Sequence, residues 1–110
     1  MVAFREVRIR IVATPPGEAP LEVREQWVGL ELPLMGGEVS AVQIETCGVV
    51  TGEIDREETI GYVIDIEDAM LALASKSPSA VAWWRTNAAH LFEAGGTLVF
   101  HEYVCRLVEL

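Results

Sequence analysis

The sequence predicts an α+β fold built mainly from antiparallel strands. Strand-like alternation fills both ends of the chain, and a helical segment at about 65–96 interrupts it. Strands and helices do not alternate as they would in a parallel sheet. About five strands and two or three short helices therefore favour a small barrel or a strongly bent sheet, with helices on one side. At 110 residues, 51% of them hydrophobic, we expect a single domain over 1–110.

The strands before the helical segment are predicted from alternation. Residues 4–13 place apolar side chains on one face and Arg8 and Arg10 on the other, which is typical of a half-buried strand. Alternation returns in VGLELPL, at 28–34, and again from residue 39 to residue 52. The acidic stretch EIDREE is expected to connect a hairpin, and TIGYVIDI, at 59–66, has the β-branched and aromatic residues of an interior strand.

A proline-rich loop separates the first two strands. TPPGEAP, at 14–20, holds three prolines and a glycine in seven residues, which predicts a rigid loop without regular structure. Pro20 can occupy the first position of a short helix, LEVREQW. In that helix Val23 and Trp27 lie four positions apart and share a face.

The interruption at about 65–96 is predicted to contain two helices. Asp65 is the expected N-cap of the first, whose apolar positions follow the i, i+3, i+4, i+7 pattern. Ser77 followed by Pro78 predicts the start of the second. Gly95 and Gly96 are expected to end it. The apolar face of the second helix comprises Val81, Trp84, Ala88 and Leu91.

The last segment, LVFHEYVCRLVEL at 98–110, resembles the close of SH3-like barrels, where a strand runs into a 3₁₀ turn and then a short final strand. The resemblance implies an SH3-like barrel with the two helices inserted before its last strands. It does not imply a proline-rich ligand, because the aromatic residues with which SH3 domains bind peptides have no counterpart here. TPPGEAP followed by WVGLELPL further suggests a signature of small bacterial proteins, with no activity attached to it.

Charge and hydropathy exclude several functions. Eight Lys and Arg against 17 Asp and Glu give a net charge of −9, which disfavours binding to nucleic acids and to anionic membranes. No apolar run is long enough for a membrane span, and the N-terminus is charged where a signal peptide is apolar. We therefore expect a cytoplasmic protein. Cys47 and Cys105 are expected to be reduced and buried.

Some residue types in the chain suit a metal site or catalysis. Thiolates and imidazoles are the ligands of structural zinc, but Cys47, His90, His101 and Cys105 lack paired spacing. We predict no metal site and no cofactor. A small enzyme or small-molecule binder that uses Cys47, His90 or His101 beside the acidic stretch is the alternative hypothesis.

The adjacent pair Trp83 and Trp84 is the better functional lead. If Trp84 faces the core, Trp83 is rotated by about 100° and shares a face with Asn87 and His90. A tryptophan beside an amide and an imidazole is typical of interfaces and ligand pockets. The alternative is that Trp83 simply packs its helix onto the first helix of the pair or onto the TPPGEAP loop.

We predict a small interaction module, binding a protein partner or a second copy of itself. Its binding surface is expected to include Trp83, Asn87 and His90, together with Trp27 and Pro16 from around the proline-rich loop.

Overall fold

The computed structural model describes residues 7–17, 19–35, 38–40, 60–93 and 96–109. These residues form strands and helices in the order β1 Val7–Ile11, α1 Leu21–Arg24, β2 Glu31–Pro33, β3 Glu38–Ser40, β4 Ile60–Asp65, α2 Ile66–Ala74, α3 Pro78–Asn87, β5 Thr97–His101 and β6 Cys105–Glu109. Short 3₁₀ turns follow α1, α3 and β5, at Glu25–Trp27, Ala89–Phe92 and Glu102–Val104. The paired strands are antiparallel, so the predicted α+β class is confirmed.

The described strands form two three-stranded sheets. In one sheet the order is β2-β1-β6, and in the other it is β3-β4-β5. The strand predicted at 59–66 is the central strand of the second sheet, as its apolar composition suggested. The described residues do not close these sheets into a barrel, so the SH3-like barrel stays a prediction.

The connection from β5 to β6 carries the chain from one sheet to the other. The connection is the 3₁₀ turn Glu102–Val104. A strand, a 3₁₀ turn and a final strand therefore follow one another, as expected from the C-terminal sequence. The carbonyl oxygen of Val104 accepts hydrogen bonds from the backbone N–H groups of Val12 and Ala13, at 2.8 and 3.3 Å. These bonds fasten the turn to the end of β1.

The hairpin of α2 and α3 begins at the two predicted caps. The Asp65 carboxylate accepts a hydrogen bond from the backbone N–H of Asp68, at 3.2 Å. The Ser77 hydroxyl accepts one from the N–H of Ala80, at 3.3 Å, with Pro78 in the first helical position. Each cap satisfies an N–H group that the helix itself leaves unpaired.

The core lies among both sheets and both helices of the hairpin. Trp27, Trp84 and Phe100 are its largest aromatic residues, and all three are fully buried. The predicted helix LEVREQW is α-helical over Leu21–Arg24 and continues as the 3₁₀ turn Glu25–Trp27. Val23 and Trp27 are both buried, so the expected shared face is confirmed.

Several sequence-based predictions lie outside the described residues. They include Cys47, the EIDREE connection and most of the strand expected at 39–52. Of that strand, Glu38–Ser40 is described, and it pairs with β4. In the parts of the chain that the structure describes, every helix is too short or too polar to cross a bilayer.

Candidate interaction surface

Trp83 is an aromatic side chain at the boundary between core and surface. It is half-buried, and its ring stands edge-on to the ring of Trp84, with centroids 5.6 Å apart and planes at 81°. Trp84 is fully buried and is itself edge-on to Trp27, with centroids 5.7 Å apart. Edge-to-face contacts of this kind favour a defined ring orientation. The buried residues Trp84 and Trp27 therefore orient the ring of Trp83.

Asn87 lies one helical turn beyond Trp83. Its side-chain amide donates a hydrogen bond to the backbone carbonyl of Trp83, at 2.9 Å, and the residue is exposed. The bond ties the Asn87 side chain to the backbone of the preceding turn of α3. Trp83 and Asn87 therefore stand together, as the helical spacing predicted.

His90 is exposed but does not continue the helical face. α3 ends at Asn87, because the backbone of Ala88 leaves the helical region at φ −128° and ψ 32°. His90 lies in the following 3₁₀ turn, Ala89–Phe92. It follows Trp83 and Asn87 along the chain, and we call these three residues the Trp83 surface.

Trp27 and Pro16 are placed differently from each other. Trp27 is 0% exposed and lies between Trp84 and Phe100, whose ring centroid is 5.2 Å away. Its indole contributes to the core, so we leave it out of the Trp83 surface. Pro16 is exposed, in a loop that Arg24 fastens. The Arg24 guanidinium donates to the carbonyl groups of Ala19 and Pro15, at 2.7 and 3.2 Å.

Arg85 links the two helices of the hairpin to the 3₁₀ turn. Its guanidinium forms an ion pair with Glu67 of α2, at 3.2 Å, and lies 4.5 Å from the centroid of the Phe92 ring. Both contacts are at the protein surface, where each contributes at most about 1 kcal/mol. Together they orient the turn that carries His90.

The sequence on both sides of Trp83 lacks acidic residues. From Ala69 to Phe92 the sequence contains no aspartate or glutamate, although the chain has 17 of them. The same segment carries Lys76, Arg85 and His90. This gap in the acidic residues is a sequence signal that periodicity and motif spacing do not reveal, and it marks most of the helical hairpin as different from the rest of the surface.

His101 is the buried polar residue of the described core. Its side chain is 0% exposed, and neither ring nitrogen has a hydrogen-bond partner among the residues that the structure describes. Its ring stacks on that of Tyr103, with centroids 4.9 Å apart and planes at 20°. Burial lowers the pKa of His101, and the negative charge of Glu102 opposes this in part. The imidazole is therefore neutral at physiological pH.

Cys105 is held as an unreactive thiol. Its Sγ donates a hydrogen bond to the backbone carbonyl of His101, at 3.2 Å, so the contact does not involve the imidazole. Burial, reinforced by the negative charge of Glu102, raises the pKa of Cys105 to about 12. A nucleophilic cysteine needs the opposite shift, because the thiolate is the reactive form.

The alternative enzyme hypothesis stays a prediction, because part of the site that it needs lies outside the described residues. Cys47 lies outside them, His90 is exposed in the turn after α3, and His101 is enclosed in the core. Among the residues that the structure describes, no three or more His, Cys, Asp or Glu side chains are grouped as they would be to hold a metal ion.

In comparisons with protein-family models, curated proteins and solved structures, no match to this chain was found.

Proposed function

We propose that this chain is a small cytoplasmic interaction module that self-associates through the Trp83 surface. One observation carries the proposal: a half-buried tryptophan, fixed by the core, lies in the segment of the chain that has no acidic residue. The fold that we propose to carry this surface is an SH3-like barrel with the helical hairpin inserted before β5. The strand, 3₁₀ turn and strand at the C-terminus support that fold.

Trp83 has the properties of an interface anchor. Tryptophan is enriched among the residues that dominate binding energy, since it offers a large apolar area and one N–H donor. A side chain that is already ordered loses less conformational entropy on association than a free one. The edge-to-face contact with buried Trp84 provides that order before a partner arrives.

Electrostatics favours this surface for contact between copies. Each copy carries a net charge of −9, so two copies repel each other over most approaches. The repulsion is least where the contacting segments bear no carboxylates. An isologous dimer brings the same surface of both copies together. Trp83 lies in a segment without carboxylates, and Glu67 of α2, which reaches α3, is ion-paired with Arg85.

Sedimentation equilibrium of the purified chain provides the test. We expect a reversible dimer whose dissociation constant rises about 10-fold to 100-fold in Trp83→Ala, because each dimer loses two anchors. Leu21→Ala is the matched control. Leu21 is an apolar residue of α1 with 52% exposure and lies outside the acid-free segment, so its truncation is expected to leave the dissociation constant unchanged.

The salt dependence of the dimer dissociation constant provides a second, independent test. Raising the NaCl concentration from 0.05 to about 0.5 M shortens the screening length from roughly 14 Å to roughly 4 Å. We expect the dimer to become stronger, since the repulsion between two acidic copies is screened. A chain that is monomeric throughout, or a dimer that Trp83→Ala and Leu21→Ala weaken equally, contradicts the proposal.

A further inference from the structure

The outer face of the β2-β1-β6 sheet carries three arginines. Along β1, Ile9 and Ile11 face the core, so Arg8 and Arg10 project from the opposite face. The antiparallel register places Arg106 of β6 directly opposite Arg10. Residues that are directly opposite share a face, so these three side chains form one group, which we call the arginine face.

Arg10 and Arg106 are like charges in a directly opposed pair. Side chains at such positions start about 5 Å apart, and like charges there destabilise the sheet. Glu31, opposite Arg10 on the other neighbouring strand, offsets one of the charges. Its Oε2 accepts from Nε and Nη2 of Arg10, at 3.2 and 2.9 Å.

The pairing with Glu31 leaves hydrogen-bond donors available. A guanidinium has five N–H donors, and Arg10 is about half exposed, so the ion pair with Glu31 does not use all of them. Arg106 is exposed, and within the described residues no carboxylate pairs with it. Two neighbouring guanidiniums therefore present unused donors to solvent.

The charge of this face is opposite to that of the molecule. The arginine face holds three of the chain's eight Lys and Arg residues, whereas the whole chain carries −9. A long polyanion such as a nucleic acid extends beyond the face and meets the acidic remainder. A short segment with closely spaced carboxylates fits both the local positive charge and the planar donors of arginine, which bind carboxylates in a bidentate manner.

We propose that the arginine face docks a short acidic segment of a partner protein, with Arg106 and Arg10 binding its carboxylates. Because it uses a sheet face and not α3, this interaction is independent of the Trp83 surface. Glu31 competes with the partner's carboxylates, since its own carboxylate occupies donors of Arg10 that the partner would otherwise use.

Fluorescence anisotropy with labelled hexaglutamate tests the proposal, with hexaglutamine carrying the same label as the uncharged reference. At about 50 mM NaCl we expect hexaglutamate to bind more tightly than hexaglutamine. Arg106→Gln is expected to weaken hexaglutamate binding about fivefold, and Arg10→Gln combined with Arg106→Gln about 30-fold. Glu31→Gln is expected to strengthen it about threefold, because the competing carboxylate is removed.

Arg85→Gln is the matched control, because it removes the same charge from an exposed arginine in α3. Equal weakening by Arg85→Gln and Arg106→Gln would show an effect of net charge alone and overturn the proposal, as would weaker binding in Glu31→Gln. Tighter binding of inorganic phosphate or of a labelled hexanucleotide than of hexaglutamate would also overturn it. Trp83→Ala is expected to retain hexaglutamate binding, so failure of self-association and failure of this proposal are distinguishable.

Discussion

The indole of Trp83 stands edge-on to the indole of Trp84, with ring centroids 5.6 Å apart and planes at 81°. Trp84 is fully buried, whereas Trp83 keeps part of its surface in solvent. Two adjacent residues of one helix thus divide between the core and the surface. The division gives them separable roles, stability for Trp84 and contact for Trp83.

Alanine substitutions should separate these two roles. We expect Trp84→Ala to lower the free energy of unfolding by about 3 to 5 kcal/mol, since it opens a cavity among Trp27 and the core. Trp83→Ala should lower it by roughly 1 to 2 kcal/mol, in proportion to its partial burial. Urea unfolding followed by circular dichroism measures both values at a concentration where the chain is monomeric. If the two losses are equal, Trp83 is a core residue and the proposed surface is wrong.

His101 should make the protein sensitive to acid. Its pKa is lowered in the folded state from the ordinary 6.5 because burial disfavours the imidazolium. As the pH falls below 6.5, the unfolded chain takes up a proton that the folded chain does not. The free energy of unfolding then decreases by up to about 1.4 kcal/mol per pH unit until the folded-state pKa is reached.

The measurement for His101 is urea unfolding between pH 7.5 and pH 5. In His101→Phe we expect a shallower pH dependence than in the wild type. Phe100→Leu is the matched control, because it perturbs the neighbouring core position without removing a titratable group, and its curve should be displaced but parallel to that of the wild type. A pH dependence that His101→Phe leaves unaltered argues against a neutral, buried imidazole.

Cys105 should resist alkylation in the folded protein. Its pKa of about 12 leaves almost no thiolate at pH 8, and the side chain is buried. In a Cys47→Ser background, iodoacetamide at pH 8 is expected to label the folded chain far more slowly than the same chain in guanidinium chloride, as mass spectrometry can follow. Comparable rates in the two states would show that the thiol is exposed or activated.

Gly96 should tolerate no side chain. A Cβ at this position would overlap the carbonyl oxygen of Leu91, a backbone atom that cannot move independently. The Gly96 carbonyl also accepts a hydrogen bond from the N–H of Ile66, at 3.1 Å, at the start of α2. We expect Gly96→Ala to lower the free energy of unfolding by about 3 kcal/mol.

Gly29 provides the comparison for Gly96. Its φ is +91°, but a Cβ there would meet no atom within 4 Å, so Gly29→Ala adds backbone strain without a clash. We expect a loss of about 1 kcal/mol for Gly29→Ala. Thermal unfolding of both variants shows which of them loses more stability. A Gly96→Ala variant as stable as the wild type would disprove the close approach to Leu91.

The sequence predicts the elements whose signals are local. Asp65, Ser77 and Pro78 mark the starts of α2 and α3 through short-range capping chemistry, and both helices begin there. The end of α3 was less predictable. Ala88, where the helix stops, is a good helix former, and the departure at this residue moved His90 off the helical face.

Contacts between distant segments were beyond the reach of sequence patterns. Trp27 follows a proline-rich loop, which suggested a position at a binding edge. It lies instead between Trp84 and Phe100, which come from elements far along the chain. The opposition of Arg10 and Arg106 likewise depends on the β1–β6 register, and alternation in one strand does not specify its partner.

The most direct measurement of self-association through the Trp83 surface is a dilution series of ¹H–¹⁵N correlation spectra. We expect the indole N–H signal of Trp83 and the backbone amide signals of Trp83, Asn87 and His90 to shift with protein concentration. The amide signals of Arg10 and Arg106, on the arginine face, should stay in place. Spectra that do not change with concentration, or shifts centred on β6, would contradict this account.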